Sequence, residues 1–356
     1  MNISQSLQSR LRRVISAKTR EGDFLETCDD LIFDVKGLVH PPTSVIAFVR
    51  YFPYEKGKRR RKGTSYGKVY SFSERYKLLK ERFPRYLVYN PVLDETLCEV
   101  PVENITRHYE PTEKLQQLRS SRDLDALEGK ALKLATSLKE KAGVPWKALG
   151  VSGSILVGLH GANSDIDPAV YGSESCWKVH SALRSLLHDE HSPFRSYNTE
   201  DLTTLFDFRS KDTAMSFQDF VRSESRKVWQ GKFVETDYFV RFVKGWSEVD
   251  ENYGDVQYKK VGYARIKAKI ADDSEAIFTP CTYEIENVAT IEGSTRQQIV
   301  KIVSFRGRFC EQARTGETVI AQGKVERVID INRGCDYLRL LIGGNSSDFM
   351  VLRRHD

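Results

Sequence analysis

The chain has 356 residues and a mass of 40.8 kDa, room for two or three domains at roughly 100–200 residues each. It is 40% hydrophobic, 11% aromatic and 29% charged, which excludes a mainly disordered chain, and no apolar run approaches the roughly 18 residues of a membrane-spanning helix. The net charge of +6 is uneven: residues 1–110 carry 20 Lys and Arg against 14 Asp and Glu, while the remainder carries 35 of each.

The opening stretch, MNISQSLQSRLRRVISAKTR, is basic and lacks an apolar core, so no secretory leader is expected. LIFDVKGLVH and SVIAFVRYF read as strands, rich in β-branched and aromatic residues and bounded by Pro and Gly. His40-Pro41-Pro42 between them reads as a rigid loop. Six of the seven residues from Lys56 to Lys62 are basic. Glycines at both ends of this cluster predict a hairpin tip, and such a tip repels itself unless it meets phosphates or counterions. Tyr51, Phe52, Tyr54, Tyr66 and Tyr70 flank it and offer faces for base stacking. One reading is an RNA- or DNA-contacting arm carried by Lys58, Arg59, Arg60, Arg61 and Lys62; the other is a solvated hairpin that protects a sheet edge. SERYKLLKERFPRY then reads as a helix ended by Pro84. Residues 1–110 are expected to form an N-terminal α+β accessory domain.

From Pro111, LQQLRSSRDLDALEGKALKLATSLKEKAG has helical apolar spacing and closes on Gly143, a C-cap residue. A short strand, WKALGVSG, follows. SILVGLHG is expected to be helical, SDIDPAVYG a strand, SCWKVHSALRSLLHDE and FQDFVRSESRKVWQG helices, and KFVETDYFVRFVKGW a strand. Strands alternating with helices over 111–254 imply a mixed layer architecture. Residues 255–356 hold five strand-like runs between turns, the pattern of a compact antiparallel β-barrel-like domain, with an OB-like module as one form of it. The overall class is α+β multidomain.

The six cysteines (Cys28, Cys98, Cys176, Cys281, Cys310 and Cys335) form no CxxC pair and no zinc spacing. Reduced, mostly packed thiols in a cytoplasmic protein are expected.

The chemistry concentrates in GSILVGLHGANSDID, residues 153–167. A Gly-Ser turn that opens a helix after a strand presents free N–H groups to an anion. Gly153 permits close backbone approach and Ser154 adds a hydroxyl, a combination suited to a triphosphate. Asp165 and Asp167, two apart on a strand, point to one face. Two such carboxylates repel each other, and a divalent cation with oxygen preference, Mg²⁺ or Mn²⁺, relieves that repulsion. A phosphate anchor beside paired carboxylates makes a phosphoryl or nucleotidyl transfer site.

These residues, GS followed after ten residues by DID in strand–helix–strand context, resemble the DNA polymerase beta-like nucleotidyltransferase superfamily. The wider stretch VSGSILVGLHGANSDIDPAVYG is similar to its archaeal-type predicted nucleotidyltransferases. The resemblance implies a nucleotidyltransferase-type mixed sheet, an NTP donor such as ATP, bound Mg²⁺, and transfer of a nucleoside monophosphate with release of pyrophosphate. Gly153 and Ser154 match the nucleotide-binding turn, and Asp165 and Asp167 match the metal-binding carboxylates. A third carboxylate from a later strand is implied, and Asp237 in KFVETDYFVRF is the candidate, with Glu235 the alternate. Asp237 stands 70 residues after Asp167, which calls for an insertion, placed at 188–228. Arg241, on the face of Asp237, is either a phosphate contact or an ion-pair partner. His160 is a packed or surface histidine before it is a catalyst. The expected acceptor is a hydroxyl, with an RNA 3′ end favoured by the basic cluster. A non-catalytic nucleic-acid-binding protein of the same fold, and an AMP transferase acting on a protein, are the competing readings.

Overall fold

The computed structural model describes residues 19–293 and 297–353. The opening stretch through Lys18, residues 294–296 and the last three residues lie outside the described residues, and so does the reading of a leader. Two compact units emerge. Described residues within 19–90, 95–195 and 229–253 form one, and those within 91–94, 196–228 and 254–353 form the other. The first two sequence segments therefore share one unit, and residues 196–228 belong with the third segment. No helix among the described residues is long and apolar enough to cross a membrane.

The first unit opens with a mixed-length sheet of β1 (Phe24–Thr27), β2 (Ile32–Val35), β3 (Ser44–Pro53), β4 (Arg59–Arg61), β5 (Thr64–Lys68), β6 (Leu87–Asn90), β7 (Glu95–Pro101) and β8 (Ile105–Tyr109). Its order is β4-β5-β3-β2-β1-β8, with β7 pairing β3 and β6 pairing β7. Helix α1 (Phe72–Arg82) starts where the Ser71 hydroxyl accepts the Glu74 N–H at 3.2 Å. Its Leu79 packs with Tyr86 on Leu25, Phe33, Val45, Ala47 and Val49 of the sheet, all fully buried. A second cluster joins Phe24, Ile32, Tyr51, Tyr66 and Tyr109 of the sheet to Leu156, Val157 and Leu159, which lie directly after the Gly-Ser turn. The sheet is thereby a wall against the segment that carries the candidate site.

The long helical run at 111–143 is two helices, α2 (Pro111–Ser120) and α3 (Ala126–Ala142). Asp125 breaks the run because its carboxylate caps α3, accepting the Leu127 and Glu128 N–H groups at 2.9 Å each. Gly143 ends α3 at φ +65°. Strand β9 (Leu149–Val151) leads to α4 (Gly153–Leu156), then come β10 (Pro168–Tyr171), α5 (Ser173–Leu187), β11 (Phe194–Arg195), β12 (Gln230–Phe233), β13 (Thr236–Phe239) and β14 (Arg241–Val243). They make two three-stranded sheets, β14-β10-β9 and β11-β12-β13. Strand β10 runs antiparallel to β9 and parallel to β14. Pro168 stands first in its strand, the position where a residue without an N–H costs least.

Two expectations need correction here. SILVGLHG is a single helical turn, since Gly158 takes φ +66° and turns the chain away. KFVETDYFVRFVKGW is three short strands, because Val234 and Glu235 adopt φ +45° and +58° and fold β12 back on β13.

The second unit contains α6 (Thr199–Arg209), α7 (Phe217–Glu224) and the strands β15 (Val256–Asp272), β16 (Cys281–Glu292), β17 (Ile299–Ser304), β18 (Thr318–Asp330), β19 (Cys335–Leu341) and β20 (Phe349–Leu352). The sheet runs β15-β16-β17-β19-β18-β20 and curls until β15 also pairs with β18. Alternate residues Ala264, Ile266, Ala268 and Ile270 of β15 are buried on its inner face. The sheet expected to be an antiparallel barrel is a curled half-barrel with one parallel seam: β17 and β19 pair in parallel, because β18 intervenes in the chain between them. Helix α6 and strand β20 were not legible in the sequence pattern. Overall the protein is a mixed α+β fold with several sheets, one of them strongly curled.

Candidate active site

Strand β9 is buried along its length, and Ser152 follows it. The Ser152 N–H donates to the Asp167 carbonyl at 2.8 Å, and its hydroxyl donates to the Gly22 carbonyl at 2.6 Å. Gly153 then takes φ +64°, a conformation costly for any residue with a Cβ. A Cβ there would stand 1.8 Å from Oδ2 of Asp167. The Gly-Ser turn and the second aspartate are thus in contact across the sheet. Ser154 is 3% exposed, and its hydroxyl has no hydrogen-bond partner. An unpaired buried hydroxyl costs about 1–3 kcal/mol.

Asp165 and Asp167 flank Ile166, which is fully buried and bridges in parallel to the fully buried Tyr238 of β13. The Ile166 N–H donates to the Asp237 carbonyl at 2.9 Å, and the Phe239 N–H donates to the Ile166 carbonyl at 3.0 Å. Strand alternation then sets Asp165, Asp167 and Asp237 on the face opposite Ile166 and Tyr238. The Asp237 carboxylate accepts from Lys232 Nζ at 3.1 Å. Glu235 goes elsewhere: it sits in the β12–β13 turn and takes a two-point contact from Arg195, at 2.8 and 2.7 Å. Burial and the neighbouring Asp165 charge push Asp167 up to about 7, against the opposing pull of Arg241, Lys68 and Arg50. The three aspartates share a face without converging tightly. Among the described residues, the group of three metal-capable side chains whose ligand atoms all fall within 4.8 Å is Asp125, Glu128 and His160.

That group is accounted for by its own contacts. Asp125 caps α3 and meets His160 Nε2 at 2.6 Å, while Glu128 pairs with Lys114 at 2.7 Å. His160 is therefore held at the end of α3. Arg241 is an ion-pair residue: it contacts Glu21, and Asp34 at 3.4 Å, while Lys36 bridges the same two acids at 2.9 and 3.0 Å.

The basic cluster splits in two. The hairpin turn is Lys62-Gly63, and residues 59–61 form β4. Arg59 and Arg61 face inward. Arg59 donates to the Leu159 carbonyl and, at 3.2 Å, to the Ser164 hydroxyl. Arg61 donates to Glu26, to the Tyr109 hydroxyl at 2.6 Å and to the Val157 carbonyl at 3.4 Å. Both clasp the loop that joins Ser154 to Asp165. Lys56, Lys58, Arg60 and Lys62 are exposed.

Two residues near the aspartate pair had no sequence signal. They are Lys68, at the end of β5, and Arg50, in β3. In the fold, both act electrostatically on Asp167. Only the pairing of β3 with β5, which sets Lys68 opposite Tyr51, brings them to the site.

The carboxylate set is all oxygen, the preference of Mg²⁺ or Mn²⁺. The carboxyl of Asp167 beside Asp165 is the chemistry that such a cation would meet here.

No family model matches the chain, and no solved structure matches it. The uncharacterized protein MJ1086 of Methanocaldococcus jannaschii is 33% identical over 341 residues, covering 93% of this chain and 97% of that one. At that identity over nearly both full lengths, the chain belongs to the same family as this Methanocaldococcus jannaschii protein.

Proposed function

We propose that the protein is a cytoplasmic nucleotidyltransferase of the DNA polymerase beta-like type, moving a nucleoside monophosphate from an NTP such as ATP to a hydroxyl acceptor. The observation that carries this reading is the contact of Gly153 with Asp167, which joins the Gly-Ser turn to the aspartate pair. The buried, unpaired hydroxyl of Ser154 beside it supports the same reading. The bare Cα of Gly153 lets the Asp167 carboxylate lie against the turn, and Ser154 donates to the β,γ-phosphates. Asp165, Asp167 and Asp237 supply the carboxylates. Mg²⁺ held there would neutralise charge on the phosphates and lower the pKa of the acceptor hydroxyl.

In the transfer, the acceptor oxygen forms a bond to the α-phosphorus as the bond from that phosphorus to the β-bridging oxygen breaks. Pyrophosphate leaves with the electron pair. The hydroxyl proton passes to Asp237, whose carboxylate is half exposed. An RNA 3′ end is the favoured acceptor, because Lys58, Arg60 and Lys62 stay exposed on the hairpin.

The test is pyrophosphate release. Purified protein is incubated with each NTP, Mg²⁺ or Mn²⁺, and either total RNA or total protein. Release that needs RNA and vanishes in Asp165→Ala/Asp167→Ala supports the reading. Release only with protein moves the acceptor to a polypeptide, and RNA binding without release favours the non-catalytic alternative.

A further inference from the structure

The N-terminal sheet brings two cations together on one ring. Lys68 Nζ lies 4.7 Å from the centroid of the Tyr70 ring, and Arg50 Cζ lies 5.5 Å from the same centroid. Tyr70 is 45% exposed. Among the described residues neither cation makes a salt bridge, although the Asp34 charge reaches Arg50 and ion pairs are common elsewhere in this unit, at Lys36, Arg61 and Arg241 among others. Two like charges on one ring are unfavourable unless an anion joins them.

Their position relative to the aspartates is set by the sheet. Lys68 pairs in register with Tyr51, and cross-strand partners share a face. Tyr51 is buried against Leu156, Val157 and Leu159, the residues that follow Ser154. Lys68 therefore lies on the sheet face that meets the Gly-Ser turn. The charge of Asp165 reaches Lys68 through space, yet no contact pair forms between them.

We propose that Lys68 and Arg50, gathered at Tyr70, bind the polyphosphate of the nucleotide donor, so that the N-terminal sheet is one wall of the site. This rests on the reading of that site as one for NTP. An ammonium and a guanidinium present several N–H donors to phosphate oxygens. Ser154 takes the same chain of phosphates from the opposite side.

Equilibrium binding tests it without turnover. The full chain is titrated by calorimetry with ATP, AMP and inorganic tripolyphosphate. Lys68→Met and Arg50→Gln are each expected to weaken ATP and tripolyphosphate by about tenfold and AMP by less than about twofold, at unchanged melting temperature. Lys68→Arg should keep the affinity within about threefold. ATP and tripolyphosphate bound equally well by wild type and both variants, or not bound by wild type, would overturn the proposal. Affinity lost in the variants while wild type transfers no nucleotide would leave the anion site standing and remove the transferase reading. Transfer by wild type with unchanged variant affinity would do the reverse.

Discussion

Gly153 and Asp167 touch: the hydrogen of a glycine occupies the space in which any Cβ would stand 1.8 Å from a carboxylate oxygen. Both the left-handed φ of +64° and this approach forbid a side chain. Gly153→Ala is therefore expected to cost about 1–2 kcal/mol in backbone conformation and further to displace Asp167. Nucleotide transfer should fall by about 100-fold or more, measured beside a circular dichroism melt. Transfer within a few-fold of wild type would show that the contact has no catalytic consequence.

The third carboxylate separates cleanly from its neighbour two residues away. Asp237 pairs beside Ile166, whereas Glu235 faces Arg195 in an exposed turn. Asp237→Asn should lower transfer by about 10²–10⁴-fold. Glu235→Gln removes an exposed ion pair of about 0–1 kcal/mol and should leave turnover within about twofold. Steady-state kinetics of the two variants under one set of conditions decides between them.

The basic cluster predicts opposite phenotypes within five residues. Arg61→Ala strips the guanidinium from Glu26 and the Tyr109 hydroxyl, and Arg59→Ala frees the Ser164 loop. Each should cost about 2–4 kcal/mol, seen as a lower urea midpoint, since a partly buried partner is left unpaired. Replacing Lys58, Arg60 and Lys62 by Ala should leave the midpoint alone and flatten the salt dependence of RNA binding. RNA affinity unchanged in that triple variant would remove the hairpin from the acceptor surface.

Burial holds His40 down to about 4. Its Nε2 meets the Thr19 carbonyl at 3.0 Å, and its Nδ1 accepts the Ile46 N–H at 3.3 Å, so the ring sits neutral. The unfolded chain takes up this proton below about pH 6.5, and the folded chain only near pH 4. Stability from this group is thus complete above pH 6.5 and drains away as the pH falls toward 4, by about 3 kcal/mol. Urea unfolding at pH 7 and pH 4.5 measures the loss, and the NMR titration of the His40 ring identifies its source. A ring that titrates near 6.5 would contradict this.

Local chemistry was legible in the sequence. The αL glycine at Gly143 acts within a few residues, so its residue type reports its conformation. The Gly-Ser to Asp-Ile-Asp spacing was legible for the same reason. Long-range pairing was not. Nothing in the run Lys56–Lys62 distinguishes Arg59 and Arg61, which turn inward, from Arg60, which does not, until β4 pairs with β5. Lys68 and Arg50 became site residues only through the register of β3 with β5. The choice between Asp237 and Glu235 depended on a two-residue turn whose first residue, Val234, is a poor former of positive φ.

The most direct measurement follows two labels in parallel. The protein is incubated with Mg²⁺, total RNA, and ATP labelled with ³²P at either the α or the γ position, with Asp165→Ala/Asp167→Ala as control. Nucleotidyl transfer predicts α-label joined to the acceptor, γ-label released as pyrophosphate, and neither in the control. γ-Label on the acceptor, or no transfer of either label with RNA or with protein, would contradict the assignment.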